Sequence, residues 1–391
     1  MNGKELSIGV IGAGGRGGLA DCAHKPEQGV RVVAGADVRD EALEDFGRKY
    51  PDALVTRDYK QLLADRELDA VFVTSPDYCH EEHAVAALNA GKDVYLEKPM
   101  ATSIAGCDRI LRAALENRSK LYVGHNMRHF TVIRKMKELI DAGTIGEVKV
   151  GWCRHFVAYG GDAYFKDWHA ERAKSTSLLL QKGAHDIDVL HWLCGGYSEK
   201  VAAMGGLTLY DRITDRHDPS QRGDAGWHLE NWPPLSQKGL NPIIDVEDVS
   251  MMLMRLDNGV LASYQQCHYT PDAWRNYTII GTEGRVENFG DAPGESTVRL
   301  WNRRHHYCPQ GDREFPIGHE EGSHGGADPK IVAEFVRYLR AGGKVATSPV
   351  AARYSVAAGC MAAKSLRSGG RPLKIPGLPE DVLAYFDADL A

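Results

Sequence analysis

The sequence predicts an α/β protein with two domains: a doubly wound parallel sheet, then an α/β domain with a large, open and mainly antiparallel sheet. Up to residue 123, short apolar segments alternate with helical ones, which is typical of βα units. A glycine cluster directly follows the first apolar segment. Beyond residue 124 the apolar segments lengthen and alternate with polar residues, which favours antiparallel strands. At 391 residues the chain also exceeds what one core usually fills.

The first domain is expected to span residues 1–124. Its strand candidates are short, apolar and often bounded by glycine, at 6–11, 30–36, 70–73, 93–96 and 121–123. Helix candidates lie between them at 17–24, 41–50, around 62–64, 82–90 and 107–117. Strands and helices that alternate with short connections predict a parallel sheet covered on both faces.

The second domain is expected to span residues 125–391. Strand candidates lie at 147–156, 200–210, 248–256, 259–268, 276–281 and 297–301, and helix candidates at 133–142, 178–193, 330–341 and 351–367. The turn at 256–259, Leu-Asp-Asn-Gly, predicts a hairpin. Residues 211–242 are polar and rich in Pro and Gly, which predicts a long loop.

Composition excludes several classes of function. The hydrophobic fraction of 43%, the charged fraction of 26% and the net charge of −6 are ordinary for a globular enzyme and unlike a nucleic-acid binder. No apolar run approaches the ~20 residues that a membrane span needs. The eight cysteines are scattered and no signal-peptide core precedes the first strand. We therefore expect a cytoplasmic protein with reduced thiols and no nucleic-acid or membrane partner.

Residues Gly12, Gly14, Gly15, Arg16 and Gly17 lie in the motif G-x-G-x-x-G, between a predicted strand and a predicted helix. Glycines in this context let backbone N–H groups approach a pyrophosphate at the helix N-terminus. Twenty residues on, a carboxylate at the end of the second strand is placed to bind the adenosine ribose and to repel a 2′-phosphate. This residue is Asp37, and it favours NAD over NADP, although Arg39 nearby weakens the preference. The alternative is a glycine-rich turn beside a surface aspartate.

Glu97-Lys98-Pro99 follows the strand 93–96, whose C-terminal end faces the ligand side of an open α/β sheet. Pro99 restricts Lys98 to an extended backbone, a fixed way to present one amine to a substrate hydroxyl. To act as a base, the amine needs a pKa below its usual ~10.4. A solvated surface lysine is the alternative.

Four motifs in order resemble one known family: the glycine motif, Thr74-Ser75-Pro76 with His80, Glu97-Lys98-Pro99, and the segment 183–188, Gly-Ala-His-Asp-Ile-Asp. Together they are similar to the family of glucose–fructose oxidoreductase, inositol dehydrogenase and MocA, over nearly the whole chain. The resemblance extends to the segment 324–328, His-Gly-Gly-Ala-Asp. It implies a Rossmann domain, an open-sheet domain, and a homo-oligomer, a dimer or tetramer, built through that sheet.

The resemblance also implies residue roles. Ser75, Pro76 and His80 would line the nicotinamide side of the cofactor site, and Glu97 would hold the nicotinamide ribose. Lys98 would meet the reacting hydroxyl, and His185 would be the general base, with a structural histidine as the alternative. Inositol dehydrogenase-like members carry Asp four residues before this histidine, where this chain has Gln181. Gln cannot share a proton, so the relay is altered and Lys182 next to it shapes the site.

The substrate side is expected from residues beyond the domain junction that combine rings, guanidinium groups and amides. They are Asn126, Arg128, His155, Tyr159, Trp168, Arg172, Gln181, Lys182 and His324. Arginines there favour an anionic sugar; a charged surface stretch is the alternative. The sixteen histidines show no third ligand or carboxylate at zinc-like spacing, so no metal is expected.

The leading hypothesis is hydride transfer to NAD from a secondary hydroxyl of a sugar, sugar derivative or cyclitol. One alternative shares every motif: a glycosidase that retains NAD and works by transient oxidation, elimination, hydration and re-reduction. A second alternative is a non-catalytic NAD-binding sensor, because a fold alone does not specify function.

Overall fold

The computed structural model describes residues 5–221, 223, 226–291, 294–320, 322 and 324–388. The chain forms two compact units, each made of separate stretches of sequence. The first comprises Met1–His129, Glu321–Arg353 and Gly377–Ala391, and the second Phe130–Glu320 and Tyr354–Pro376. The expected division at residue 124 therefore lies close to the first junction, but two C-terminal segments expected in the second domain belong to the first unit.

The strands alternate with helices in the first third of the chain and follow one another later. The strands are β1 (Leu6–Ile11), β2 (Val30–Ala36), β3 (Leu54–Thr56), β4 (Ala70–Val73), β5 (Asp93–Leu96), β6 (Leu121–Val123), β7 (Val148–Phe156), β8 (Ser198–Gly206), β9 (Val249–Leu256), β10 (Leu261–Cys267), β11 (Trp274–Gly281), β12 (Arg285–Phe289), β13 (Thr297–Trp301), β14 (Arg313–Pro316) and β15 (Leu373–Lys374). The helices are α1 (Ala20–Ala23), α2 (Asp40–Lys49), α3 (Tyr59–Leu63), α4 (His80–Asn89), α5 (Ile104–Asn117), α6 (Thr131–Asp141), α7 (Gly160–Tyr164), α8 (Arg172–Ser175), α9 (Leu178–Gln181), α10 (Gly183–Cys194), α11 (Ala327–Ala341), α12 (Pro349–Arg367) and α13 (Glu380–Ala388).

The first unit contains a six-stranded parallel sheet in the order β3-β2-β1-β4-β5-β6. Its central strands are buried on both faces, which explains why β4 is apolar throughout. The strand order reverses at β1, and in such sheets ligands bind beyond the carboxyl ends of the strands at this point. In register, Ile11 lies beside Ala36 and Val73. The residues that follow these strands therefore share one edge of the sheet, and the expected doubly wound sheet is confirmed.

Helix α11 belongs to the core of the first unit, which corrects its expected place in the second domain. Its apolar residues Ile331, Phe335 and Tyr338 are buried in the same cluster as Phe72 of β4 and Tyr95 of β5. The ring of Phe335 meets those of Phe72 and Tyr95 edge-on, with centroids 5.4 and 5.5 Å apart. Side-chain packing between distant segments decides this placement, and helical periodicity alone does not report it.

The second unit contains a nine-stranded sheet in the order β14-β13-β12-β11-β7-β10-β9-β8-β15. Strands β7 and β10 pair in parallel and the other neighbours pair antiparallel, so the expected mainly antiparallel sheet is confirmed. The predicted turn at 256–259 joins β9 to β10, and the backbone N–H of Leu256 donates to the carbonyl of Val260 at 2.9 Å. Sequence patterns missed β12, β14 and β15 in this sheet, and β3 in the sheet of the first unit.

A break interrupts the expected helix 178–193. Helix α9 ends at Gln181 and α10 begins at Gly183, with Lys182 between them. A Cβ at Gly183 would lie 3.1 Å from the ring of Tyr264, so glycine lets the start of α10 approach the sheet. The described part of the expected loop 211–242 contains short 3₁₀ turns and an isolated bridge between Arg216 and Leu240, and its positions 222, 224 and 225 lie outside the described residues. No helix in the described ranges is long and apolar enough to cross a membrane.

Candidate active site

The glycine motif forms a tight turn between β1 and the 3₁₀ start of the first helical segment. A Cβ at Gly12 (φ +90°) would lie 2.5 Å from the backbone nitrogen of Ser75, and one at Gly17 would lie 2.4 Å from the carbonyl oxygen of Gly12. Only glycine fits at these two positions. At Gly15 (φ +56°) a Cβ would meet nothing within 4 Å, so this part of the turn is open to a ligand.

The carboxylate of Asp37 accepts a hydrogen bond from the backbone of this turn. Its Oδ2 accepts the N–H of Gly14 at 3.0 Å, and its Oδ1 accepts the N–H of Arg39 at 3.0 Å. A carboxylate has about four lone-pair sites, so capacity remains for the hydroxyls of a ribose. A cavity of about 270 Å³ adjoins the turn and is lined by Gly14, Gly15 and Arg39 among others. The glycine turn and the Asp37 carboxylate fit the pyrophosphate and adenosine end of NAD.

Arg16 of the motif joins this turn to β5 and α11 within the first unit. Its guanidinium donates to Glu97 Oε1 at 2.7 and 3.0 Å and to Asp328 at 2.8 and 3.2 Å. His324 Nδ1 lies 2.8 Å from Asp328 Oδ2, and Asn126 donates to Asp328 Oδ1 at 3.4 Å. Burial would raise the pKa of Asp328, but the hydrogen bonds from His324 and Arg16 outweigh it and hold the pKa below its ordinary value.

Two loops beyond β4 and β5 are tied together by His80. Its Nδ1 lies 2.7 Å from the carbonyl oxygen of Pro99 and its Nε2 lies 2.8 Å from that of Ser75. Glu97 Oε2 accepts the backbone N–H of Lys98 at 2.8 Å, and the Lys98–Pro99 bond is cis. Lys98 is half-buried. These contacts fix the backbone that carries its amine at the ligand edge of the sheet.

In the second unit, the break before α10 carries a buried amine. Lys182 is only 8% exposed, and its Nζ lies 5.5 and 5.4 Å from the ring centroids of Tyr159 and Tyr164. Burial, and next the positive charge of Arg275, lowers the pKa of Lys182 to about 7, although Asp186 acts in the opposite direction. An amine with this pKa can both accept and donate a proton near neutral pH.

Asp186, one residue after His185, is fully buried in the second unit. Its carboxylate lies 3.0 Å from His155 Nδ1 and 3.0 Å from Arg275 Nε, and it accepts a hydrogen bond from the hydroxyl of Tyr277. Burial would raise the pKa of Asp186, but Arg275 and His155 outweigh it and lower that pKa. Burial, and then Arg275, lowers the pKa of His155 to about 3, so this imidazole is neutral. The cluster anchors the first turn of α10.

The remaining site residues expected from the sequence are buried, stacked on a neighbouring ring, or bonded to backbone carbonyls. Gln181 and His185 are buried on either side of the break, at 5% and 9% exposure. The ring of Trp168 stacks on His169, with centroids 3.8 Å apart. Arg128 donates to the carbonyl of Ala346 at 2.6 Å in the first unit, and Arg172 donates to the carbonyl of Asp245 at 2.6 Å in the second.

These contacts engage both arginines with protein carbonyls, which weakens the argument for an anionic sugar. They also place Arg128, Asn126 and His324 in the first unit rather than in the expected second domain.

Several functional candidates were not expected from the sequence. Asp328 and Asp186 lie inside the motifs, but the motifs imply no role for them, and Arg275 and His268 lie outside every motif. His268 is fully buried, and burial holds its pKa well below its ordinary value. In the described part of the chain, no three His, Cys, Asp or Glu side chains are arranged to hold a metal ion.

A parallel sheet with a glycine turn and a ribose-binding carboxylate, followed by an open mixed sheet, defines a class of two-domain NAD-binding oxidoreductases. Two family profiles match the chain: "Oxidoreductase family, NAD-binding Rossmann fold" over residues 6–125, and "Oxidoreductase family, C-terminal alpha/beta domain" over residues 137–375. The chain belongs to this family, that of glucose–fructose oxidoreductase, inositol dehydrogenase and MocA, and it is an oxidoreductase whose cofactor is NAD.

Three known proteins show the range of similarity. The oxidoreductase YteT of Bacillus subtilis is 27% identical over 317 residues, which cover 71% of this chain and 74% of that protein. The inositol 2-dehydrogenase/D-chiro-inositol 3-dehydrogenase of Halalkalibacterium halodurans is 35% identical over 218 residues, 55% of this chain and 60% of that protein. A structure of levoglucosan dehydrogenase in complex with NADH and L-sorbose shares the fold, with a TM-score of 0.74 at 21% identity, covering 96% of this chain and 100% of that one.

Proposed function

We propose that this oxidoreductase transfers hydride to NAD from a carbon bearing a secondary hydroxyl in a neutral sugar, sugar derivative or cyclitol. The observation that carries the proposal is the buried amine of Lys182, whose pKa is lowered to about 7, three residues before His185. Residues three apart at a helix start lie on the same side, and we expect the amine and the imidazole to serve one reacting group. The relatives named as dehydrogenases of inositol and levoglucosan support this substrate class.

The proposed reaction converts a secondary alcohol and NAD⁺ into a ketone, NADH and a proton. Bound NAD supplies the hydride acceptor at its nicotinamide ring. His185 takes the hydroxyl proton. Lys182 replaces the carboxylate that position 181 lacks, because an amine with a pKa of about 7 can accept that proton and release it near neutral pH. For Lys98 in the first unit, the resemblance to the family implies a hydrogen bond from its amine to a substrate hydroxyl. Glu97 and the loop tied by His80 keep the Lys98 backbone in place.

A screen with sub-stoichiometric NAD tests the proposal. Purified protein is incubated with neutral and anionic sugars, cyclitols and their 4-nitrophenyl glycosides, while NADH absorbance and nitrophenol release are followed together. We expect NADH to accumulate until NAD is exhausted, with neutral substrates preferred. His185→Asn should lower kcat by about 10²-fold or more, whereas His305→Asn, on an exposed loop, should not.

Gln181 favours a second candidate, the NAD-retaining glycosidase, because an altered relay suits a cycle in which the proton and hydride return to the sugar. Release of many nitrophenol molecules per NAD without lasting NADH would establish it and overturn the dehydrogenase. Binding of NAD without either product, unaffected by Lys98→Ala, would instead identify a sensor.

We further propose that the enzyme assembles through the open face of its nine-stranded sheet. Strand β9 alternates buried and exposed residues, as expected of a sheet with one face on the core. Yet the outward residues are large and apolar: Met204, Met251, Leu253 and Leu261 are 55–72% exposed. Met204 lies opposite Met251 in the register of β8 and β9, so the side chains form a continuous patch. Such patches on soluble proteins mark interaction sites.

A further inference from the structure

An exposed indole extends the aromatic surroundings of Lys182 away from the buried amine. Trp227 lies in the loop after β8 and is 60% exposed. Its ring meets that of Tyr159 edge-on at a centroid distance of 6.1 Å. Tyr159 in turn lies 6.3 Å from Tyr164, and both tyrosine rings adjoin Lys182 Nζ. The three rings form a continuous wall, here called the aromatic wall, from a buried amine to the protein surface.

The loop that carries Trp227 is anchored beneath the aromatic wall. The side chain of Asn231 donates to Asp162 Oδ1 at 2.7 Å, and the backbone N–H of His228 lies 3.5 Å from Asp162 Oδ2. Asp162 is only 2% exposed, and Lys166 Nζ lies 3.1 Å from its Oδ1. The buried Asp162 carboxylate, which is paired with Lys166, accepts both hydrogen bonds and thereby orients the loop. Trp227 is therefore presented in a defined position, with its ring 60% exposed at the outer end of the aromatic wall.

We propose that Trp227 forms a second subsite, which binds the ring attached to the anomeric carbon of a glycoside whose first ring reacts beside Lys182. The aromatic wall leads outward from Lys182, so a substrate with one ring leaves Trp227 uncovered and a substrate with two rings covers it. The flat face of a sugar or aryl ring packs on indole without a charged partner, in keeping with the engaged arginines. The inference rests on the proposed function for the position of the reacting ring only.

Binding measurements without NAD test this subsite independently of turnover. Titration calorimetry compares the methyl and 4-nitrophenyl β-glycosides of glucose, galactose and N-acetylglucosamine. For each sugar, only the nitrophenyl glycoside carries a second ring. For the sugar that binds, we expect the nitrophenyl glycoside to bind about threefold to tenfold more tightly, as one aromatic contact provides. In Trp227→Ala this ratio should fall to about one, and Trp227→Phe should restore part of it. Trp232→Ala is the matched control, since Trp232 lies on the same loop at 48% exposure.

Several outcomes would overturn the inference. They are an equal affinity for both glycosides in the wild type, a ratio that Trp227→Ala leaves unchanged, an equal effect of Trp227→Ala and Trp232→Ala, and a change in molar mass by light scattering in Trp227→Ala, which would place the indole at a contact with a second copy of the chain. Failure of the proposed function looks different: no glycoside or sugar yields NADH, while the affinity ratio still depends on Trp227.

Discussion

Replacing Lys182 with methionine should stabilise the protein at neutral pH while it lowers the activity of the enzyme. The amine is buried, and its pKa of about 7 means that folding withdraws a proton which the unfolded chain keeps up to its ordinary pKa of 10.5. Where the unfolded state binds more protons, stability rises with pH. The loss of stability caused by burying Lys182 is therefore largest at pH 7 and below, and it decreases as the pH approaches 10.5.

The magnitude follows from the difference between the two pKa values of Lys182, about 7 in the folded protein and 10.5 in the unfolded chain. The difference is about 3.5 pH units and each unit corresponds to ~1.4 kcal/mol, so burying the amine lowers the free energy of unfolding by roughly 5 kcal/mol at pH 7. Methionine has a similar volume and no charge to desolvate, so it removes most of this cost at a packing penalty of about 1 kcal/mol. The free energy of unfolding should thus rise by a few kcal/mol at pH 7 and by progressively less toward pH 9.5.

Urea unfolding of both proteins between pH 7 and pH 9.5 measures the effect. The wild-type midpoint should rise with pH relative to that of Lys182→Met. Lys174→Met, at a side chain that is 40% exposed, is the control and should follow the wild type. A Lys182→Met protein that is no more stable than the wild type at pH 7, with a parallel pH dependence, would refute the reasoning. In the wild type, kcat/KM for the sugar found in the screen should rise with pH through about 7, and this step should be absent from the residual activity of the variant.

Three further predictions concern the cofactor, the first unit and the assembly. Asp37→Ala should weaken NADH binding about tenfold and NADPH binding less, since only the ribose hydroxyls of NADH need the carboxylate; fluorescence titration of both dinucleotides measures this, and equal losses would contradict it. Arg16→Met leaves the buried carboxylates of Glu97 and Asp328 without their shared cation and should lower the free energy of unfolding by about 2 kcal/mol. This value is reduced for solvent screening because the Arg16 side chain is 34% exposed. A loss within ~0.5 kcal/mol, as for surface substitutions, would argue against the network. Leu253→Glu on the sheet patch should dissociate the oligomer in light scattering, whereas Leu229→Glu, on a loop and 79% exposed, should not; identical masses for all three proteins would exclude the patch as the interface.

The parts of the site that sequence predicted are those with local causes. The glycine turn needs particular backbone angles, and Gly12, Gly17 and Asp37 lie at fixed spacings from the first two strands, so their positions can be inferred before any contact is known. Lys98 belongs to the same class, because it lies two residues after a strand whose end must face the ligand side.

The acid–base properties of the second unit had no such local signal. Lys182 is an ordinary lysine in the sequence, and its pKa is lowered only because the chain breaks between α9 and α10 and buries the amine beside Arg275 from β11. His155 was expected to contact substrate, yet the neighbouring strands bury it against Asp186. Desolvation and the charges of distant segments determine these pKa values, and neither can be read from spacing along the chain.

The sequence by itself determined the class of each sheet, the hairpin after β9 and the NAD-binding turn, because periodicity, glycine angles and turn chemistry act over a few residues. Only the tertiary structure decided that α11 completes the core of the first unit, that Arg16 joins Glu97 to Asp328, and that a buried lysine lies under the aromatic wall. Each of these depends on contacts between residues far apart in the chain, and packing and desolvation are properties of those contacts.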